Sequence, residues 1–210
     1  MNSRLAGAAS ILTLMILSGC ATMSGDECAT SDWYAIGFED GSRGYTSSRL
    51  GDHRKACAKH GVTPDFEAYQ TGRNEGLVEF CQPSRGFNLG ASGSQYHGVC
   101  SAHREGQFLD AYNSGYHLYN LRSNVNSATY RINANKQEQE ETQRLIRDKE
   151  AALIAKDTPT EERIILIADL KDLSERSGQL ESEMYQLIED RAMYEQQLQS
   201  YEAVLADSGY

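Results

Sequence analysis

Eleven positions between Leu170 and Leu205 step by three and four without a break. They are Leu170, Leu173, Ser177, Leu180, Met184, Leu187, Arg191, Tyr194, Leu198, Tyr201 and Leu205, and only Ser177 and Arg191 are polar interruptions. Side chains at that spacing share one stripe of an α-helix, and the stripe has to be covered along its length. Upstream, Leu118, Leu121, Val125, Ala128, Ile132, Asn135, Gln139, Thr142, Ile146, Lys149 and Leu153 keep the same step with a weaker seam. Asp157-Thr158-Pro159-Thr160-Glu161 separates the two runs. There Thr158 can cap a helix, Pro159 suits its first position, and Glu161 completes a capping box. So short a break predicts an antiparallel coiled-coil hairpin over 122–210, with its turn near 157–160. Its second arm would reach roughly 70 Å at 1.5 Å per residue. Asn135, Gln139 and Thr142 weaken the first arm's seam, so a partner chain, or a second copy, could supply apolar surface there.

Residues 20–121 have a different grammar, rich in Gly, Tyr, His and Cys. The change at residue 121 is one of composition and not a linker, which leaves room for one helix to cross it. Three segments align on a glycine, with an acid five before it and a tyrosine three before it. They are Asp32, Tyr34 and Gly37; Glu67, Tyr69 and Gly72; and Asp110, Tyr112 and Gly115, with the first acid pairing to Gly37. A second glycine follows four later in the first two, at Gly41 and Gly76. Each segment reads as a short helix, with its acid capping or lying in the first turn and its glycines admitting a close neighbour. The stretch from Gln82 to Gly98, with Gly86, Gly90, Gly93 and Gly98, reads as a loop between units. The aromatic residues of the aligned units read as core.

The chain begins with the layout of a secretory signal over 1–19: one basic residue, an apolar core from Leu5 to Leu17, then Ser18-Gly19-Cys20. Leu17-Ser18-Gly19-Cys20 looks like a bacterial lipobox, in which the Cys20 thiol takes the lipid. An acylated Cys20 gains about 0.8 kcal/mol per buried CH₂, so several chains make a lasting anchor. Ala21 in place of Asp implies, by resemblance to Gram-negative lipoproteins, sorting to the outer membrane facing the periplasm.

Cys20 leaves four cysteines, Cys28, Cys57, Cys81 and Cys100, which in an exported chain read as two disulfides. Cys28–Cys57 with Cys81–Cys100 is the working pairing, one of three that the sequence permits. Each bridge contributes about 3 kcal/mol for loops of this size. The alternative is a zinc site, because Cys57 with His60 and Cys100 with His103 form two Cys-x-x-His pairs offering four N/S ligands.

The 210 residues carry a net charge of -10, with a pI near 5.0. That acidity argues against nucleic acid as a partner, since phosphate binding needs clustered Lys and Arg. No nucleophile elbow and no haem-attachment motif is present, so neither a reaction nor a cofactor is expected. An envelope hydrolase is the enzymatic alternative, with no motif behind it.

The head also resembles DUF2799, a family of uncharacterised proteobacterial lipoproteins. The likeness is carried by Asp32-Trp33-x-x-x-Gly37-x-x-Asp40-Gly41, His53-Arg54-x-x-Cys57, and Asp65-x-x-x-Tyr69-x-x-Gly72-Arg73-x-x-Gly76-Leu77-x-x-x-Cys81. Gly90, Tyr96 and Val99-Cys100 continue it, so that it spans about 28–120. The resemblance implies an outer-membrane lipoprotein and brings no activity. The expectation is a mainly α chain, a small disulfide-stapled helical-repeat head followed by a long coiled-coil hairpin. Its expected role is a non-enzymatic, lipid-anchored scaffold for a protein partner or for self-association.

Overall fold

The computed structural model describes residues 23–208 and is mainly helical, with no strand among the described residues. Cys20, the expected lipidation site, and the expected signal segment over 1–19 lie outside the described residues. Among the described residues seven helices follow one another: α1 (Gly25–Thr30), α2 (Trp33–Ser42), α3 (Ser48–Ala58), α4 (Phe66–Phe80), α5 (Pro83–Ala91), α6 (Ala102–Ile154) and α7 (Thr160–Ser208). They divide into two compact units, one ending at Leu77 and the other starting at Val78. The division therefore falls inside α4, and α6 runs unbroken across residue 121, where the composition changes.

The first unit is organised by α2 against α4. A Cβ built on Gly37 or Gly41 would fall far inside 3.0 Å of the Tyr69 or Arg73 carbonyl oxygen. Reciprocally, one on Gly72 or Gly76 would collide with the Tyr34 or Phe38 carbonyl. Only hydrogen fits at these four places, so the two backbones touch directly and Cα–H groups meet carbonyl oxygens. Beside this crossing, Trp33, Leu50 and Tyr69 pack round the Cys28–Cys57 disulfide.

The second unit repeats the arrangement with α5 and the start of α6. Gly86 and Gly90 lie on the Phe108 and Tyr112 carbonyls, and Gly115 lies on that of Phe87. The Cys81–Cys100 disulfide ties them, with Phe108 fully buried between Phe80 and Tyr96. The two units share one frame. A cysteine precedes the first helix's glycine by nine (Cys28 to Gly37, Cys81 to Gly90), and another precedes the second helix's Tyr and Gly by twelve and fifteen. In both, the first-helix glycine rests on that tyrosine's carbonyl. The disulfides close sequence separations of 29 and 19 residues, and the difference is about the length of α3, present in the first unit alone.

This frame corrects the expected three-fold repeat. Tyr34 to Gly37 belongs to a first helix, while Tyr69 to Gly72 and Tyr112 to Gly115 belong to second helices, so there are two glycine-crossed helix pairs, one in each unit. Asp110 lies well inside α6, exposed, and caps nothing. The expected loop at 82–98 is corrected as well: Pro83–Ala91 is helical, and its glycines are packing surface. Among the expected core aromatics, Tyr69 is 2% exposed but Tyr34 is 38% exposed, with its hydroxyl on Glu75.

From Leu118 onward α6 pairs with α7 as the seam requires. Every stepping position of both arms is buried or half-buried, with Leu180 and Leu187 among the fully covered. Some of the polar seam residues find partners across the pair: the Gln139 amide donates to the Ser177 hydroxyl at 2.8 Å, and that of Asn135 to Glu183 at 3.0 Å. Arg122–Glu202 and Arg176–Glu138 hold the same register outside it. At the turn, Thr158 spends its hydroxyl on the Ala152 carbonyl at the end of α6 and not on α7. Pro159 supplies the first carbonyl of α7, to Arg163 N–H, so it stands one place earlier than expected. Arg163 in turn reaches back to the Leu153, Ala155 and Thr158 carbonyls, closing the α6 end that lacks its own partners.

Substitution of Gly72 by Ala should lower stability by about 3 kcal/mol, the upper end of overpacking costs. Gly178→Ala, in α7 where nothing lies within 4 Å, should raise it by about 0.5–1 kcal/mol. Chemical denaturation followed by circular dichroism separates the two.

Candidate functional site

The only charged side chain buried among the described residues is Asp40, 6% exposed. It lies on α2 between the two contact glycines, three residues after Gly37 and one before Gly41, so the face that meets α4 carries it inward. An isolated carboxylate there would be very costly, and it persists only with donors around it. Two helices, α3 and α4, supply them. The Tyr69 hydroxyl on α4 donates to Asp40 Oδ2 at 2.9 Å. His53 on α3 brings Nε2 to the same oxygen at 2.9 Å. Arg49, one turn earlier on α3, holds its Nε 3.8 Å from Oδ1 and its guanidinium over the Tyr45 ring.

Aromatic edges complete the enclosure: Trp33 and Tyr69 both meet the His53 ring edgewise, with centroids 6.1 and 6.0 Å away. Burial, and then the hydrogen bond to Asp40, push the Tyr69 phenol well above its ordinary range, so it stays a donor. Arg73, on the next turn of α4, donates to the Tyr45 carbonyl at 2.8 Å. The insert helix α3 is thus what brings imidazole and guanidinium to the carboxylate. In the second unit, which has no α3, Gly93 stands at the place of Asp40 and packs on the Tyr119 ring.

Chemically, the cluster is an oriented acid–imidazole pair with a phenol donor. General-base work needs such a pair to face a nucleophile or a substrate cavity. A cleft of ≈ 600 Å³ opens on the other side of α3, along Gly51, Arg54, Lys55 and Ala58, and a second of ≈ 730 Å³ lies between α6 and α7 at His117 and Tyr201. Neither is lined by Asp40, His53 or Tyr69. The cluster acts as a polar tie joining α2, α3 and α4.

The other sequence-derived candidates fall into place round it. Asp32 caps α2, accepting from Tyr34 and Ala35 N–H, and Glu67 lies in the first turn of α4, where Asp65 takes the Ala68 N–H. Gly37, Gly41, Gly72, Gly76 and Gly115 all lie in helix crossings. The zinc alternative is overturned by the disulfides: the sulfurs of Cys57 and Cys100 are bonded to Cys28 and Cys81 in different units and are not thiolates. His60 lies exposed beside Gly25, and His103 is paired with Ser101. No group of three potential metal ligands occurs among the described residues.

Residues 32–117 match the family described as Protein of unknown function (DUF2799). This segment belongs to that family. It spans both glycine crossings and the Asp40 cluster, and stops at the foot of the hairpin. No curated protein and no solved structure matches the chain.

Asp40 and His53 were missed as a pair by pattern reasoning. The usable signal was an acid on the same face as two contact glycines, which forces the search for donors elsewhere in the DUF2799 segment. Tyr69→Phe should cost about 1–3 kcal/mol by leaving the carboxylate one donor short. Its effect on pH dependence has a definite sign. The phenol is held above its unfolded value of 10.0, so above that pH the unfolded chain releases a proton that the native one keeps, and stability falls. Melting temperatures from pH 8 to beyond about 10 should decline more shallowly for Tyr69→Phe than for the parent chain.

Proposed function

We propose that the protein is an outer-membrane lipoprotein facing the periplasm, anchored through acylated Cys20, which works without catalysis by presenting its helical hairpin to a protein. The DUF2799 segment would be the membrane-proximal part and the hairpin the reaching part. The lipobox-like Leu17-Ser18-Gly19-Cys20 supports the anchor, and two buried disulfides suit an oxidising compartment. No helix among the described residues is long and apolar enough to cross a membrane, so on this reading attachment falls to the lipid.

The observation that carries the scaffold reading is the far end of the hairpin. Beside the turn, Ile154, Ile164, Ile165 and Ile167 are 80%, 65%, 61% and 58% exposed. Large apolar residues exposed together in this way mark an interaction site more often than a free face. It also relocates the expected contact. The polar stretch round Gln139 is closed by α7, with the Gln139 amide on Ser177, whereas the tip is uncovered.

Intact mass of the membrane-extracted chain should show acyl additions at Cys20, and Cys20→Ser should move the protein out of the membrane fraction. In the same cells, a photo-crosslinking residue at position 165 should give a discrete protein adduct. One at Tyr130, exposed on the side of α6, should give none. An unacylated Cys20 counts against the anchor, and equal labelling at both positions counts against the scaffold.

A further inference from the structure

Between Arg163 and Asp169, α7 carries five apolar residues in a row, Ile164 to Ala168, which cover every side of just over one turn. Leu166 is buried and Leu170 half-buried against α6, while Ile164, Ile165, Ile167 and Ala168 all face outward. Exposed apolar residues grouped in this way mark a face suited to a partner. The charges at its ends say what kind. Glu161, Ile164, Ala168 and Lys171 step by three, four and three along the exposed side, so the face reads acid, apolar, apolar, base. Lys171 reaches Glu175 at 3.6 Å within the chain, but both side chains remain largely exposed, at 74% and 62%, and that pair holds it weakly.

Such a face complements itself when reversed. A second helix of the same sequence, laid antiparallel across it, sets Glu161 of each copy opposite Lys171 of the other and Ile164 opposite Ala168. A parallel copy would set acid on acid and base on base. The antiparallel arrangement has a two-fold axis near Leu166, uses one patch on both copies, and closes at two. The small Ala168 leaves room for the isoleucine facing it, and Ile165 and Ile167 flank the axis.

We infer that the hairpin tip is a homodimerisation surface, in which α7 residues 161–171 of two copies pair antiparallel. This rests on the scaffold reading above and names the occupant of its exposed end.

The test uses the full chain in its own membrane, with a photo-crosslinking residue at position 165. The parent should give an adduct of twice the chain mass. Lys171→Glu alone and Glu161→Lys alone each replace two attractive contacts by two repulsive ones, and each should reduce that adduct on the order of tenfold. The two single variants expressed together, and the double exchange within one chain, should both restore it. Restoration in those combinations is an outcome that misfolding would not produce, and unchanged helicity of each purified variant checks the fold directly. A dimer adduct indifferent to the exchanges overturns the pairing. An adduct of any other mass overturns it too while leaving the scaffold standing, and no adduct at all from position 165 removes both.

Discussion

Everything in the head depends on backbone meeting backbone. Where Gly37, Gly41, Gly72 and Gly76 bring α2 and α4 together, and Gly86, Gly90 and Gly115 do the same for α5 and α6, no side chain intervenes. Such contacts gain dispersion and weak Cα–H···O attraction over a small area and bury little apolar surface per residue. Two short helices held in this way have a thin core. A disulfide at the base of each pair then reduces the freedom of the unfolded chain and offsets what the core does not provide.

On this common frame the two units have diverged in what fills the space beside the crossing. The second fills it with rings, Phe80, Phe108 and Tyr96 in contact and Tyr112, Tyr116 and Tyr119 stacked along α6. The first fills it with a charge and its donors. Inserting α3 is what makes the second choice possible, because a buried carboxylate needs partners from more directions than two helices offer. A polar tie of this kind is more directional than apolar packing, since hydrogen bonds fail at the wrong angle. Its direct product is therefore a fixed placement of α3 on the α2–α4 pair.

How legible this was depends on which signal each part writes. The hairpin was readable almost residue by residue, because a seam covered along its whole length imposes its period on every turn, and polar members such as Gln139 were tolerated without breaking it. The glycines were harder. The same residue serves a flexible loop and a tight crossing, and the run from Gly86 to Gly98 holds both: Gly86 and Gly90 lie in a helix, while Gly93 and Gly98 have positive φ in the connection that follows. Only the spacing of four distinguishes the first pair. The cysteine offsets did mark the repeat, but aligning on tyrosine merged first helices with second ones, since Tyr34 mimics Tyr69 in sequence and not in place. Thr158 misled for another reason: the end of α6 and the start of α7 compete for one hydroxyl, and the uncapped carbonyls won. Asp40 with His53 was least visible, since a long-range pair leaves no periodic trace.

One property of α6 reaches beyond packing. The helix that Cys100 pins at its base, through Ser101, is the helix that ends at Ile154, and its 53 residues contain no proline, and no glycine after Gly115. At 1.5 Å per residue it is about 80 Å of continuous rod, and α7 returns alongside it until the Tyr201 hydroxyl meets the Ser114 carbonyl. Such a doubled rod bends little and hinges nowhere along its length. Mechanically it is a lever with its short arm clamped by α5 as far as Gly115: a tilt of about ten degrees at that clamp sweeps the far end through roughly 10 Å, given about 60 Å of helix beyond it. Motion at the tip is thus governed by the stiffness of a few glycine contacts at the opposite end.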